Sequence, residues 1–452
     1  MSVVTYAIGC AKRLKHKFDA GIRAMTPVYI SQVRRIERVV VKERVVAMTF
    51  DDGPCRMPAK PSQDERPLTL RLVETLEEFG ARGTFDIVGD TSGNYPDLAG
   101  DEGSPQWGGI RYDHYPDFGC DADGGAVNCP ELVRRILDGG HEISSHTYSH
   151  VLFGKKPLVY GGRDPLPTVD AVIADLRRLH DYMKSEFGYT VRLSRPPHYV
   201  DRCPDGFDSY DAYAVMGYQY MAASFDGAGW LPLHNYEAEC GAMLNPLRDA
   251  LSADPDALCG QIIFQKDGYN MARRSPVADG LPQQLRLLGE YGYRVVTVSE
   301  LLDICPFADL APDDAYFNDA KYLLDCGYPV CYRDNTVRAE TGMTRGELAM
   351  MLYGSDSAMR RIELVRNGTR VAADIGSKHP YAAAIDAAVK TGAAELCCGK
   401  FMPSGAVGRD YLVRCLAERF GALPDIGDLS DSPTRGEIIG AAAAAARASR
   451  RR

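Results

Sequence analysis

Two short segments carry side chains whose types and spacing suit hydrolytic chemistry. In TFDDGP (49–54) the carboxylates of Asp51 and Asp52 stand side by side at the end of an apolar run, and Gly53 and Pro54 force a turn directly after them. Neighbouring side chains at a strand end diverge, so Asp52 can bind a metal while Asp51 stays free as a base. In HTYSH, His146 and His150 stand four apart. On a helical turn both imidazoles would face one point, as a pair of metal ligands requires. Neither segment decides the matter alone. With nine histidines in 452 residues, such a pair arises by chance in roughly one chain in five, and Asp-Gly-Pro is also an ordinary turn.

A scaffold must place both segments, and residues 45–302 read as one. VVAMTF, GTFDIV, EISSH, VRLSR, YQYMAA, GQIIF and RVVTV are seven short runs with strand character. Between them Leu68, Leu72, Leu76 and Phe79 share a helical face, as do Val172, Leu176 and Leu179. Such alternation means an α/β fold with parallel strands, closed into a barrel or wound as an open sheet. Asp51, Asp52, His146, Arg195, Asp226 and Lys266 all fall at or just beyond C-terminal strand ends, the catalytic rim of a β/α barrel. Residues 91–129, rich in Gly, Asp, Tyr and Pro, read as a long insertion such as a lid or rim loop.

Four pieces in order, TFDDGP, GHEISSHTYSH (140–150), SRPPHY (194–199) and DGAGW (226–230), make residues 42–303 resemble the polysaccharide deacetylases with a NodB-homology domain, carbohydrate esterase family 4. The resemblance implies a distorted seven-stranded (β/α) barrel that removes N-acetyl groups from a saccharide such as a peptidoglycan- or chitin-like polymer. It makes Asp51 the general base, oriented by Arg195, and Asp52, His146 and His150 the ligands of a divalent metal: Zn²⁺ first, with Co²⁺, Mn²⁺ or Ni²⁺ as alternatives. Two His and one Asp leave coordination positions open for water and an acetamide oxygen. Pro197, Tyr199, Asp226 and Trp230 then fall on the substrate side, Trp230 as a sugar-stacking platform or as barrel core. A backbone N–H near His198 would help hold the oxyanion. The chain departs from the family at its last motif. IIFQKD (262–267) puts Lys266 where the family has its acid histidine, and Gly229 stands where an Asp usually tunes that histidine. Either activity is lost, or Lys266 or His198 donates the proton. For Lys266 the bland alternative is a structural cation paired with Asp51 or Asp267.

Beyond Cys305 a second pattern recurs. PFADL (306–310), AADI (372–375) and LPDI (423–426) are each followed by TRGEL (344–348), GRDYL (408–412) or TRGEI (434–438). The first unit, YRDNTVRAETGMTRGELAMML, resembles a surface-layer homology repeat. The division is a basic arm at 1–44, the barrel at 45–303, and repeats at 306–354, 372–421 and 423–447 within 304–447. By that resemblance Arg345 and Arg435, with Arg409 a looser match, would contact an anionic cell-wall polymer. A degenerate repeat that merely packs on the barrel is the alternative. The tail AAAAAARASRRR reads as a helix with cations at its C-terminal end.

Composition sets the outer bounds. The 452 residues carry a net charge of −9 with 45% hydrophobic and 25% charged residues, ordinary for a core-forming protein and unlike a nucleic-acid binder. Ten of the 52 Lys/Arg lie in residues 1–44 beside three Asp/Glu. This arm reads as a solvated helix packing Ile30, Val33, Ile36 and Val40 on the main domain. No run suffices for a membrane span. Thirteen cysteines without a C-x-x-C pair read as free thiols. Localisation is contradictory: wall-binding repeats imply the cell surface, whereas the missing secretory signal and free thiols imply the cytoplasm. Three functions stay open: a metal-dependent deacetylase, a hydrolase of another non-peptide amide, and a catalytically impaired glycan- or metal-binding surface protein.

Overall fold

The computed structural model describes residues 28–450 except 63, 91–105, 108–109, 112–122, 152, 155–164, 271 and 422–428. Its centre is β2 (Val45–Asp51), buried at every position, as a near-continuous apolar run in a doubly covered parallel sheet must be. Around it lie β1 (Arg35–Ile36), β3 (Thr84–Ile87), β6 (Glu142–Ser145), β7 (Leu193–Ser194), β8 (Gln219–Met221), β9 (Phe225–Asp226), β10 (Ile262–Lys266) and β11 (Arg294–Val296). All pair in parallel, in the order β1-β8-β7-β6-β3-β2-β10-β9. The seven strands read from the sequence are therefore joined by two short ones. The sheet is a curled half-barrel: among the described residues its terminal strands β1 and β9 do not pair with each other. Its distortion has a local origin. One edge of β2 pairs with β11 at Val45–Ala47 and with β3 at Thr49–Asp51, so two strands share it end to end.

Helices cover the sheet where the apolar period requires. In α1 (Leu68–Glu78) Leu68, Leu72, Val73 and Leu76 face inward, while Phe79 closes the helix as its C-cap. α2 (Pro130–Asp138) precedes β6. α3 (Val169–Phe187) buries Val172, Leu176, Leu179 and Met183 between a Thr168 N-cap and a left-handed Gly188. α4 (Ser209–Met216), α5 (Tyr236–Ala253), α6 (Val277–Glu290) and α7 (Val298–Ile304) complete the covering layer.

The arm is not a helix over its described part. Residues 28–44 hold one short strand between bends, Arg35–Ile36, paired to Tyr220–Met221 of β8. Ile30, Val33 and Ile36 are buried as anticipated, but Val40 is only half-buried. Backbone bonds to Cys331 and Arg333 decide the matter, because they offer β-branched residues an edge to pair with. Residues 1–27 lie outside the described residues, as does most of the 91–129 insertion. Within the latter, β4 (Gln106–Trp107) and β5 (Ile110–Arg111) form a hairpin, and its end is tied to Arg56 through Asp123 O.

The C-terminal region is mainly helical: α8 (Phe317–Asp325), α9 (Arg345–Tyr353), α10 (Ala358–Asn367), α11 (Ala382–Lys390), α12 (Arg409–Phe420) and α13 (Arg435–Arg450). Two of its aspartates make the same local bond pattern. Asp309 accepts from the amides of Val337 and Arg338 at 2.7 and 2.8 Å. Asp374 does the same for Phe401 and Met402 at 2.9 and 2.7 Å. Asp425 lies outside the described residues. The segments leading into α9, α12 and α13 meet one another through bridges Thr344–Ala406 and Gly342–Thr434. One apolar cluster joins Ile36, Val45, Ala47, Met221, Ile262 and Leu301 of the barrel to Phe307, Phe317, Val337, Leu348 and Ile438. The described cysteines are all free thiols, and no described helix is long and apolar enough to cross a membrane.

Candidate active site

Parallel strands bring their C-terminal ends to one rim, and Asp51, Asp52, His146, His150, Arg195 and Lys266 meet there. Asp51 ends β2, and Asp52 turns off it with φ 79°. Gly53 follows because a Cβ at that position would run into the Asp267 carboxylate. Asp267 is fully buried and accepts from Thr69 Oγ1 at 2.7 Å, while its amide bonds Asp51 O at 2.7 Å, so the turn is pinned from beneath.

HTYSH departs from the expected helical turn. β6 stops at Ser145, and the chain then passes through left-handed Thr147 (φ 76°) and His150 (φ 55°). Thr147 Oγ1 accepts from the His150 amide, and buried Asp175 accepts from the amide of Tyr148. This irregular loop nonetheless brings the two imidazoles together. His146 Nε2 lies 3.3 Å and His150 Nε2 3.0 Å from the same oxygen, Asp52 Oδ1. One carboxylate and two imidazole nitrogens, all buried and within 4.8 Å of one another, fit a divalent ion. A second close group, Asp51, Asp86 and His146, lies beside it.

Arg195 is almost completely buried and has its guanidinium fully engaged. It bonds Asp51 Oδ1, Thr49 Oγ1 at 3.1 Å, and the carbonyls of Met221 and Ala222. Thus it holds Asp51 in one orientation. Burial, reinforced by Asp86 and Asp52, pushes the Asp51 carboxyl up to about 7 against the pull of Arg195 and His146. Its neighbouring cation alone would suggest a lower value, but burial dominates. For His146 burial acts in the opposite sense, yet Asp86 and Asp51 outweigh it and raise the imidazole well above its ordinary value. For His150 burial outweighs the pull of Asp52, with His146 and Lys266 acting in the same sense as burial, and lowers the imidazole to about 4.

Lys266 ends β10 in register with Asp51, and its ammonium bonds Asp52 Oδ2. His198, in a strained turn at φ 55°, has its ring 6.0 Å from that of His150. Pro197 is buried, and Tyr199 is exposed against Tyr220 and Arg195. Asp226 and Trp230 bind each other: the indole Nε1 donates to Asp226 Oδ1 at 3.0 Å. Trp230 is only half-buried, which rules out the barrel-core alternative. Gly229 sits against Gln265, where a Cβ would come within 3.1 Å of Oε1. Asp86 is the carboxyl group of this centre that the sequence reading missed. A lone Asp inside the apolar strand GTFDIV is the signal that would have found it.

Residues 38–201 match the model of the polysaccharide deacetylase family. Over those residues the chain is similar to that family. The peptidoglycan-N-acetylglucosamine deacetylase of Bacillus cereus is 24% identical over 265 residues, 58% of this chain and 89% of that protein. The peptidoglycan-N-acetylmuramic acid deacetylase PdaC of Bacillus subtilis is 22% identical over 268 residues, which make up 59% of this chain and 41% of that protein. The crystal structure of PdaC superposes with a TM-score of 0.37 at 21% identity, covering 59% of this chain and 93% of that one. The family match and the Asp52–His146–His150 cluster support a metal-dependent, deacetylase-type hydrolase.

The two arginines assigned to a wall polymer differ. Arg345 is half-buried with its guanidinium 4.3 Å over the Tyr411 ring. Arg435 is fully buried, donates to Val330 O at 3.1 Å and stacks on Tyr332 at 4.5 Å. Burial corrects the expectation for Arg435: it is a packing cation here, with no surface to offer a polymer.

Proposed function

We propose that the barrel removes N-acetyl groups from a peptidoglycan- or chitin-like saccharide, with Asp52, His146 and His150 holding one Zn²⁺ ion. The observation that carries this reading is the convergence of both Nε2 atoms on Asp52 Oδ1, beside an Asp51 that Arg195 orients. When bound, the ion supplies a Lewis acid that activates water and polarises the acyl oxygen. Asp51 takes the proton of the attacking water. Near His198 a backbone N–H steadies the oxyanion; the Tyr199 amide is already used by Pro196 O. Tyr199, Pro197, Asp226 and Trp230 line the saccharide side. Lys266 protonates the departing amine.

The test is metal content and acetate release measured together on the full-length protein, over acetylated chitin oligomers and peptidoglycan fragments. Wild type should hold about one ion per chain, and His146→Ala should lose it. Asp51→Asn should keep the ion and lose turnover by about a hundredfold or more. Stoichiometric metal in His146→Ala would remove the assigned ligand set.

A second reading, a binding protein with impaired catalysis, is favoured by one observation. Lys266 is bound to Asp52, an arrangement that supports charge compensation rather than proton donation. Failure of wild type on every saccharide in the panel, with metal and glycan still bound, would select it.

For 304–447 the proposed reading is a surface-layer homology-like repeat module. The paired roles of Asp309 and Asp374 and the Thr344–Glu347 and Thr434–Glu437 caps support it. Arg345 is then the candidate contact for an anionic wall polymer. Sedimentation of the full chain with purified walls should weaken with salt and in Arg345→Ala.

A further inference from the structure

One buried carboxylate at the rim takes part in no step above. Asp86 lies on β3 in register with Asp51 of β2 and is fully buried. Its Oδ1 accepts from Ser144 Oγ at 2.6 Å. Its Oδ2 lies 2.8 Å from His146 Nδ1 in a close polar contact that is not an aligned hydrogen bond. Among the described groups, the His146 imidazole is the one that faces this buried oxygen. The same Nδ1 is aligned with the Arg195 carbonyl at 2.9 Å. Facing two acceptors, Nδ1 must carry a proton, which leaves Nε2 as the nitrogen turned toward Asp52.

We propose that Asp86 is a positioning residue, which fixes the ring orientation and tautomer of His146 so that Nε2 is presented to the divalent ion. The inference rests on the reading of Asp52, His146 and His150 as ligands. It distinguishes between the two acidic groups around His146. Asp86 meets Nδ1, whereas Asp51 approaches Nε2 at 4.0 Å, so no ion can take both carboxylates through one ring nitrogen. Arg195 already neutralises Asp51. The Asp51–Asp86–His146 group is thus a support for the metal centre rather than a second centre. A carboxylate behind a ligating histidine also makes Nε2 a better donor, and losing such a partner costs about 10- to 100-fold in metal affinity.

The experiment is Zn²⁺ competition against a chromophoric chelator, with Co²⁺ visible spectra, on full-length wild type, Asp86→Asn, Asp86→Leu and His150→Ala. Asn keeps the shape of Asp and guards against misfolding of the Leu variant; thermal melting checks both. Roughly tenfold weaker Zn²⁺ binding in Asp86→Asn, about a hundredfold weaker binding in Asp86→Leu, and a changed Co²⁺ spectrum are expected. A folded Asp86→Asn with wild-type affinity and an unchanged spectrum overturns the role of Asp86 and leaves the metal site standing. Wild-type protein without stoichiometric Zn²⁺, or His150→Ala binding as tightly as wild type, overturns the metal reading itself and this inference with it.

Discussion

Asp52 serves three partners at once: Lys266 through Oδ2, and His146 and His150 through Oδ1. Lys266 therefore has two separable effects, as a cation beside a ligand and as a source of a proton. Lys266→Arg keeps the charge and withholds the proton. If Lys266 is the donor, kcat should fall by about a hundredfold in that variant with metal content unchanged; a fall of less than about threefold would assign it charge compensation alone. His141 permits a cleaner titration, away from the rim. It is buried with Nδ1 accepting from the Gly83 amide at 3.1 Å, and burial lowers it from 6.5 to about 4. A histidine depressed in the fold contributes stability that is complete above pH 6.5 and is lost as pH falls toward 4, because only the unfolded chain takes up the proton. The loss across that interval is about 3 kcal/mol. Melting temperatures from pH 7 to 4 should fall more steeply in wild type than in His141→Gln, and parallel curves would exclude His141 as the cause. At this scale the sequence revealed residues in recognisable motifs and hid those without one. Asp51, Asp52, His146, His150 and Arg195 sit in such strings. Asp86 stands alone in an apolar strand, and its partner His146 is sixty residues away.

Secondary-structure elements turn spacing into geometry, and here the sequence reading was right about strands and wrong about the loop. All seven β-branched runs became strands because a parallel sheet buried on both faces demands continuous apolar character, which is legible locally. HTYSH failed as a helical turn because its shape is set by Thr147 and by Asp175 on α3, a contact no local pattern announces. The arm failed for a similar reason, its partners being β8 and the segment at 331–333. Gly53 tests how rigid the β2 turn must be. Gly53→Ala drives a methyl into the Asp267 carboxylate, a clash expected to cost about 1–3 kcal/mol. It should also displace Asp52 and weaken Zn²⁺ binding. Urea unfolding and chelator competition on one sample check both, and an unchanged midpoint would show that Asp267 moves freely.

On the scale of the whole molecule, the proposed boundary at 303/304 divides the chain but not its core. Ile36, Val45, Ala47, Met221 and Ile262 pack in one cluster with Phe307, Phe317 and Ile438. A chain ending at residue 303 would expose that face, so it should aggregate or melt well below the full-length protein, although it keeps every rim residue. Equal melting temperatures would make the C-terminal region a detachable module. The attachment of the C-terminal region was not legible in the sequence, because shared burial between distant segments leaves no period in either.

The same long-range pairing bears on how the protein is made. Strand β1 and its flanks need Tyr220 and Met221 to complete the sheet, and Cys331 and Arg333 to cover its outer edge. Translation at about 5–20 residues per second separates residues 31 and 331 by roughly 15–60 s. During that interval the backbone groups of Ser31, Arg35 and Ile36 that pair with β8 and with residues 331–333 leave the ribosome before those partners are synthesised. The first described strand of the chain is thus among the last to be satisfied, and the nascent protein must stay soluble with an apolar edge uncovered until its C-terminal third emerges.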